Sequence, residues 1–177
     1  LMDVRVVDDN VNDVGIRERG EVIFNGPYKM RAYYNDPERT AETLINGWIH
    51  SGDIGEWDDR GYLYIVDRKK NLIIRGGLNI IPTEIENVIY RHDGVLETAV
   101  IGVPDEEWGE AILAVVAPKP GVELTADEIL ALCANSELTS IKRPERVEFV
   151  ESLPKNAVGK IEKRALRDTY WTGSRKV

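Results

Sequence analysis

The sequence holds a single cysteine in 177 residues, so no disulfide can close within the chain. Cys133 lies in ILALCANSEL at helical spacing from Ile129 and Leu130, which predicts buried filler rather than a nucleophile. No apolar run approaches the roughly 20 residues a membrane-spanning helix needs. The first residues carry no signal-peptide pattern, and a reducing cytoplasm is the expected compartment. Positive charge is also scarce: 23 Lys and Arg against 31 Asp and Glu give a formal net charge of −8. That balance argues against general nucleic-acid binding, which needs a basic face. A small local cluster of cations could still hold one nucleotide-like ligand. Internal repeats and low-complexity stretches are missing as well, and no metal site is expected.

What is present suffices for one ordinary domain or two small ones, since 42% of the residues are hydrophobic and can form a real core. Residues 1–66 read as mostly β. VRVVDD and GEVIFNG are short β-branched runs bounded by Asn, Asp and Gly. Pro37 and ERTAETL predict a short helix capped by Asp36. WIHSGDIGEWDDRGYLYIVD reads as strand, turn and strand, with DDRG as the reversal. The chain begins inside a predicted strand, so it is expected to be a piece of something longer.

The character changes at residues 67–70, where charge replaces apolar strand, and a domain boundary is placed there: 1–67 before it and 68–177 after. Thr83 with Glu86, and Thr125 with Glu128, read as capping boxes opening two helices. Ile85, Val88, Ile89 and His92 share one face of the first. TAVIGVP and AILAVVAP are near-continuous apolar runs, predicted to be buried strands around the polar loop DEEWGE. RVEFVESLP adds a strand, and the run from Lys163 through Trp171 reads as a terminal helix. The second part is therefore α+β, a mixed sheet with flanking helices, preceded by a mostly β piece.

Three motifs can carry chemistry. In GWIHSGD, residues 47–53, Asp53 follows a Ser-Gly pair read as a turn. A carboxylate there could accept both hydroxyls of a ribose, or could be an ordinary turn aspartate. In YLYIVDRKKNLIIRGGLNIIPTEIE, residues 62–86, Gly76 and Gly77 permit positive φ and close backbone approach, and Arg68 could meet a hydroxyl or phosphate. The spacing is not that of a P-loop or a dinucleotide fingerprint, and the plain reading is a hairpin turn before a helix. In PKNAVGKIEKRALR, residues 154–167, Pro154, Asn156 and Gly159 predict an extended, mobile loop presenting Lys160 just before a helix. Such a lysine could neutralise a carboxylate–phosphate transition state, or could simply be solvated.

In this order and spacing the three motifs resemble the adenylate-forming superfamily, which includes acyl- and aryl-CoA synthetases, peptide-synthetase adenylation domains and firefly luciferases. GEVIFNGPYKMRAYYNDPERTAETLINGWIHSGD resembles the end of that family's large N-terminal domain. Residues from Arg68 onward resemble its whole small C-terminal lid. The resemblance implies activation of a carboxylic acid with ATP to an acyl-adenylate, then transfer to a thiol, usually CoA, with the lid rotating between the two steps. It implies that Asp53 holds the ribose hydroxyls, that Arg68 supports the ribose and phosphate region, and that Lys70 is the hinge. Lys160 would bridge the carboxylate and α-phosphate during adenylation only. Gly76 and Gly77 would line the pantetheine tunnel, Trp108 would pack near CoA, and Lys142 and Arg143 would meet a CoA phosphate. Trp108 could equally be a loop anchor and Arg143 a surface cation.

Ser51 departs from the family's commoner Thr but keeps the hydroxyl. The family's phosphate loop, adenine-contacting segment and acyl pocket lie upstream of this sequence. ATP with Mg is therefore expected to be held mainly by an N-terminal region this chain partners, and the chain alone is expected to catalyse neither step. NLIIRGGLNIIPTEIE resembles fatty- and aryl-acid CoA ligases more than peptide-synthetase domains. The expected enzyme is an AMP-forming acyl-CoA synthetase acting on a fatty acid. Loading of a carrier protein, or a non-catalytic module derived from the fold, are the alternatives.

Overall fold

The structure is a computed structural model and describes residues 1–171. The chain divides into two compact units, residues 1–70 and 71–177, so the division falls at the end of the charged stretch.

In the first unit, strands β1 (Asp3–Val7), β2 (Gly20–Asn25), β3 (Leu44–Ile45), β4 (Trp48–Trp57) and β5 (Leu63–Arg68) form one antiparallel sheet. Its core is small: Val6, Val7, Val22, Ile23, Ile49 and Ile54 are buried. Helix α1 (Pro37–Thr43) starts as predicted, with the Asp36 carboxylate accepting the Arg39 N–H at 2.9 Å. The β4–β5 reversal is held by Asp58, whose carboxylate accepts the Arg60 and Tyr62 N–H groups.

In the second unit, β6 (Ile73–Arg75) and β7 (Leu78–Ile80) make a two-stranded hairpin before the helix, as the plain reading of the Gly-Gly segment expects. Helix α2 (Pro82–Ile89) leads to β8 (Val95–Asp105) and β9 (Gly109–Pro118), which pair antiparallel. Helix α3 (Ala126–Ala134) and β10 (Arg146–Phe149) follow, β10 lying parallel to β9, and α4 (Lys163–Asp168) closes the order. The continuous apolar runs of β8 and β9 are explained by a sheet covered on both faces. Val100, Ile112, Ala114 and Val116 join α2 and α3 in one core; Ala99, Ile101, Val103, Leu113 and Val115 meet Leu153, Ile161 and Leu166 in the other. Successive residues alternate between the cores, as the two-residue strand period requires.

One helix start differs from expectation. Thr125 and Glu128 form the predicted reciprocal capping box. Thr83 and Glu86 do not: the N-cap is Ile81, without a side-chain bond, and Pro82 opens the helix. Glu86 is turned inward instead, accepting the Val100 N–H at 2.7 Å and pairing with Lys163. The final helix also ends at Asp168, short of Trp171.

Candidate functional site

Asp53 and Arg68 are directly opposed across β4 and β5, and the Arg68 Nε lies 2.7 Å from Asp53 Oδ1. Both face a cleft of about 330 Å³ that is also lined by Tyr28, Tyr33, His50 and Ser51. The Ser-Gly pair before Asp53 is not a turn between elements, as the sequence suggests. It is a bulge inside β4, where Val22 alone faces Ser51, Gly52 and Asp53. Gly52 supplies the positive φ of 69°. A bulge breaks the ladder, so its polar groups need other partners. Ser51 Oγ donates to the Val22 carbonyl at 2.6 Å and accepts the Asp53 N–H at 3.0 Å. The Gly52 N–H goes to Glu21 Oε1 at 3.2 Å.

Glu21 is the residue sequence reasoning missed. It is buried on β2, with Lys69 Nζ 3.1 Å and His50 Nδ1 3.2 Å from Oε2. Burial resists its ionisation, but the hydrogen bonds from His50 and Lys69 and the Lys69 charge outweigh that and hold its carboxyl below the ordinary value. Its local sequence carries no signal of this role, because its partners His50 and Lys69 lie 29 and 48 residues further on. Lys69, also paired with Asp9, stands immediately before Lys70 in a 3-10 turn, and the first unit ends at Lys70.

In the second unit, Gly76 and Gly77 are the two central residues of the β6–β7 hairpin, with φ of 55° and 79°. That is the backbone of a primed two-residue turn. A Cβ at Gly77 would meet nothing within 4 Å, so backbone conformation is what asks for glycine there. A Cβ at Gly76 would lie 2.9 Å from Cε3 of Trp108. Trp108 is thus an anchor on the hairpin: its carbonyl accepts the Gly76 N–H at 2.9 Å, and the Arg75 guanidinium sits 5.4 Å from its ring centre. The ring still keeps part of its surface exposed. Arg75 is buried, pairs with Glu145 and leaves Nε and Nη1 without hydrogen-bond partners. It ties the hairpin to the segment carrying Lys142 and Arg143. There Lys142 Nζ pairs with Glu84 at 2.7 Å, and Arg143 Nε donates to the Leu138 carbonyl at 3.2 Å.

Lys160 stands on a closed hairpin, not on the extended loop the sequence predicts. Lys155 bridges Ile161, and the Asn156 N–H donates to the Lys160 carbonyl at 2.9 Å. The Asn156 side chain accepts the Val158 and Lys160 N–H groups at 3.1 and 3.0 Å, and Gly159 takes a φ of 82°. Asparagine fits because its carbonyl can imitate a backbone turn. Residues 156–160 are all exposed, and the Lys160 ammonium forms no hydrogen bond or ion pair among the described residues. Cys133 is buried as predicted, and burial pushes its thiol up to about 11, which leaves it inert. Among the described residues no group of His, Cys, Asp and Glu could hold a metal, and no helix is long and apolar enough to cross a membrane.

Residues 84–160 match the AMP-binding enzyme C-terminal domain family. The chain is 48% identical over 157 residues to 3-[(3aS,4S,7aS)-7a-methyl-1,5-dioxo-octahydro-1H-inden-4-yl]propanoyl:CoA ligase of Rhodococcus jostii, covering 88% of this chain and 30% of that protein. It is 43% identical over 170 residues to the fatty acid–[acyl-carrier-protein] ligase ScoC of Streptomyces coeruleorubidus, covering 96% of this chain and 33% of that one. The crystal structure of ATP-bound MatB from Rhodopseudomonas palustris superposes with a TM-score of 0.89 at 36% identity, over 96% of this chain and 34% of that chain. The chain spans about a third of the length of the curated relatives it matches.

Proposed function

We propose, for a chain that carries the AMP-binding enzyme C-terminal domain and corresponds to the C-terminal portion of adenylate-forming enzymes, that it is the lid end of an AMP-forming acyl-CoA synthetase. The whole enzyme activates a carboxylic acid, a fatty acid first among them, with ATP and passes the acyl group to CoA. One observation carries the reading: Lys160 is presented at the exposed tip of an ordered hairpin with its ammonium uncommitted. A charge held that way can enter a site made elsewhere and stabilise a developing carboxylate–phosphate anion.

The remaining residues take roles consistent with it. Asp53 accepts the ribose hydroxyls, as its position on the cleft beside Arg68 allows. Glu21 and Ser51 hold the bulge that aims Asp53. Lys70 is the pivot between the units. Gly76, Gly77 and Trp108 form a small exposed platform suited to pantetheine, with Lys142 and Arg143 as candidates for a CoA phosphate. ATP with Mg is held mainly by an N-terminal region that residues 1–70 complete, so the chain alone turns over neither step.

The test is an assay of the full-length protein against a panel of carboxylic acids by pyrophosphate release, with CoA or a carrier protein as acceptor. Arg143→Ala should raise the KM for CoA without lowering adenylation. Because a relative is a carrier-protein ligase, acyl transfer only to a carrier protein would replace the CoA assignment. Pyrophosphate exchange by the isolated 177-residue chain, well above a blank, would remove the lid reading.

A further inference from the structure

Among the described residues the tip of the Lys160 hairpin makes hydrogen bonds only within its own turn, so its place is set at its base. Glu162 N–H donates to the Pro154 carbonyl at 2.8 Å, which makes tip and base one body. Ile161, Lys155 and Lys163 attach that body to the sheet and to α2. Ile161 packs into the core with Leu153 and Leu166. Lys155, on the entering arm, pairs with Glu97 of β8, but its side chain is 41% exposed, and such pairs contribute little. Lys163, three residues past Lys160, places its Nζ 2.7 Å from Glu86 Oε1, and the two side chains are only 14% and 11% exposed. The same carboxylate oxygen accepts the Val100 N–H at 2.7 Å. The leaving arm is thereby bound to α2 and to β8 through one buried carboxylate.

Burying two charges is a costly way to attach a helix whose Leu166 already packs on the core. An apolar pair of similar volume would hold α4 as well or better, so what the ion pair adds is direction and registry. We propose that the Glu86–Lys163 pair is the positioning device for the adenylation lysine, fixing the first turn of α4 so that Lys160 meets the reacting phosphate. The proposal rests on the reading of Lys160 given above. Glu86 and Lys163 are positioning residues; neither touches substrate.

The experiment measures two half-reactions in the full-length protein: carboxylate-dependent ATP–pyrophosphate exchange, and thioester formation from supplied acyl-adenylate. Lys163→Met strands a buried carboxylate and could fail to fold. The Glu86→Gln/Lys163→Met double variant removes both charges at nearly constant volume and serves as the deciding protein. Its adenylation kcat is expected to fall by about tenfold to a hundredfold, the scale of an ångström misplacement. KM for ATP and the thioester step should stay within about twofold, and Lys163→Arg should recover most of the lost rate. Loss of folded protein lowers both half-reactions together, so equal loss overturns the proposal. So does wild-type adenylation in the double variant, or Lys163→Arg no better than Lys163→Met. Lys160→Ala runs alongside: if it keeps adenylation, the reading of Lys160 fails, whereas if it loses adenylation and the double variant does not, the positioning inference alone fails.

Discussion

Replacing Gly76 and Gly77 singly by alanine separates backbone strain from the Trp108 contact. Both residues have positive φ, so each substitution places an L side chain in the left-handed region at a cost of about 1 kcal/mol. At Gly77 the added Cβ meets nothing within 4 Å, and the cost ends there. At Gly76 the Cβ falls 2.9 Å from the indole, so the ring must move. Movement weakens the Gly76 N–H bond to the Trp108 carbonyl, worth about 1 kcal/mol. It also disturbs the Arg75 stacking, worth about 0.5–1 kcal/mol at a partly exposed site. Gly76→Ala should therefore cost about 2–3 kcal/mol against about 1 for Gly77→Ala. Amide hydrogen exchange of the β8 and β9 core in the two variants reads that difference directly. In the full-length protein, Gly76→Ala should also raise the KM for CoA more than Trp108→Phe does, because it displaces the ring rather than trimming it. Equal destabilisation by the two alanines would refute the claim that Trp108 rests on the hairpin.

Further predictions concern the Asp53 bulge, acid stability and the buried thiol. Ser51→Ala removes a donor to Val22 and an acceptor for Asp53, so it should cost about 1–2 kcal/mol and raise the KM for ATP, while Ser51→Thr keeps both; denaturant titration and initial rates check this. The folded Glu21 carboxyl lies below its ordinary value, so the stability it contributes is present above pH 4.5 and is lost as the pH falls through its folded value. Glu21→Gln should flatten that acid limb, and an unchanged limb would place the acid sensitivity elsewhere. Burial pushes the Cys133 thiol up to about 11, so a thiol reagent at pH 8 should label it only at the rate of unfolding, and immediate labelling would contradict its burial. Thr125→Ala should cost about 1 kcal/mol by opening the α3 capping box, read as a lower denaturation midpoint.

Features decided by neighbours in sequence were legible in the sequence. The apolar runs of β8 and β9, the Asp36 cap and the Thr125 box depend on residues within a few positions, and each stands where the pattern put it. Thr83 and Glu86 show the same spacing as Thr125 and Glu128, yet Glu86 is taken by Val100 and Lys163, partners far away in sequence. The Ser51–Gly52 bulge looks like a turn in the sequence for the same reason, since Glu21 and Val22, which hold it, lie 31 and 29 residues upstream of their partners. In the Lys160 loop, Asn156 and Gly159 predict mobility from the sequence alone. They are the residues of a specific closed turn, Asn156 for its side-chain carbonyl and Gly159 for its positive φ.

The role of Lys160 is tested most directly by the pair of half-reactions in the full-length Lys160→Ala variant. ATP–pyrophosphate exchange should fall by about a hundredfold or more, as removal of one transition-state charge does, while thioester formation from supplied acyl-adenylate stays near the wild-type rate. Exchange at the wild-type rate, or equal loss in both steps, would contradict the role given to this lysine.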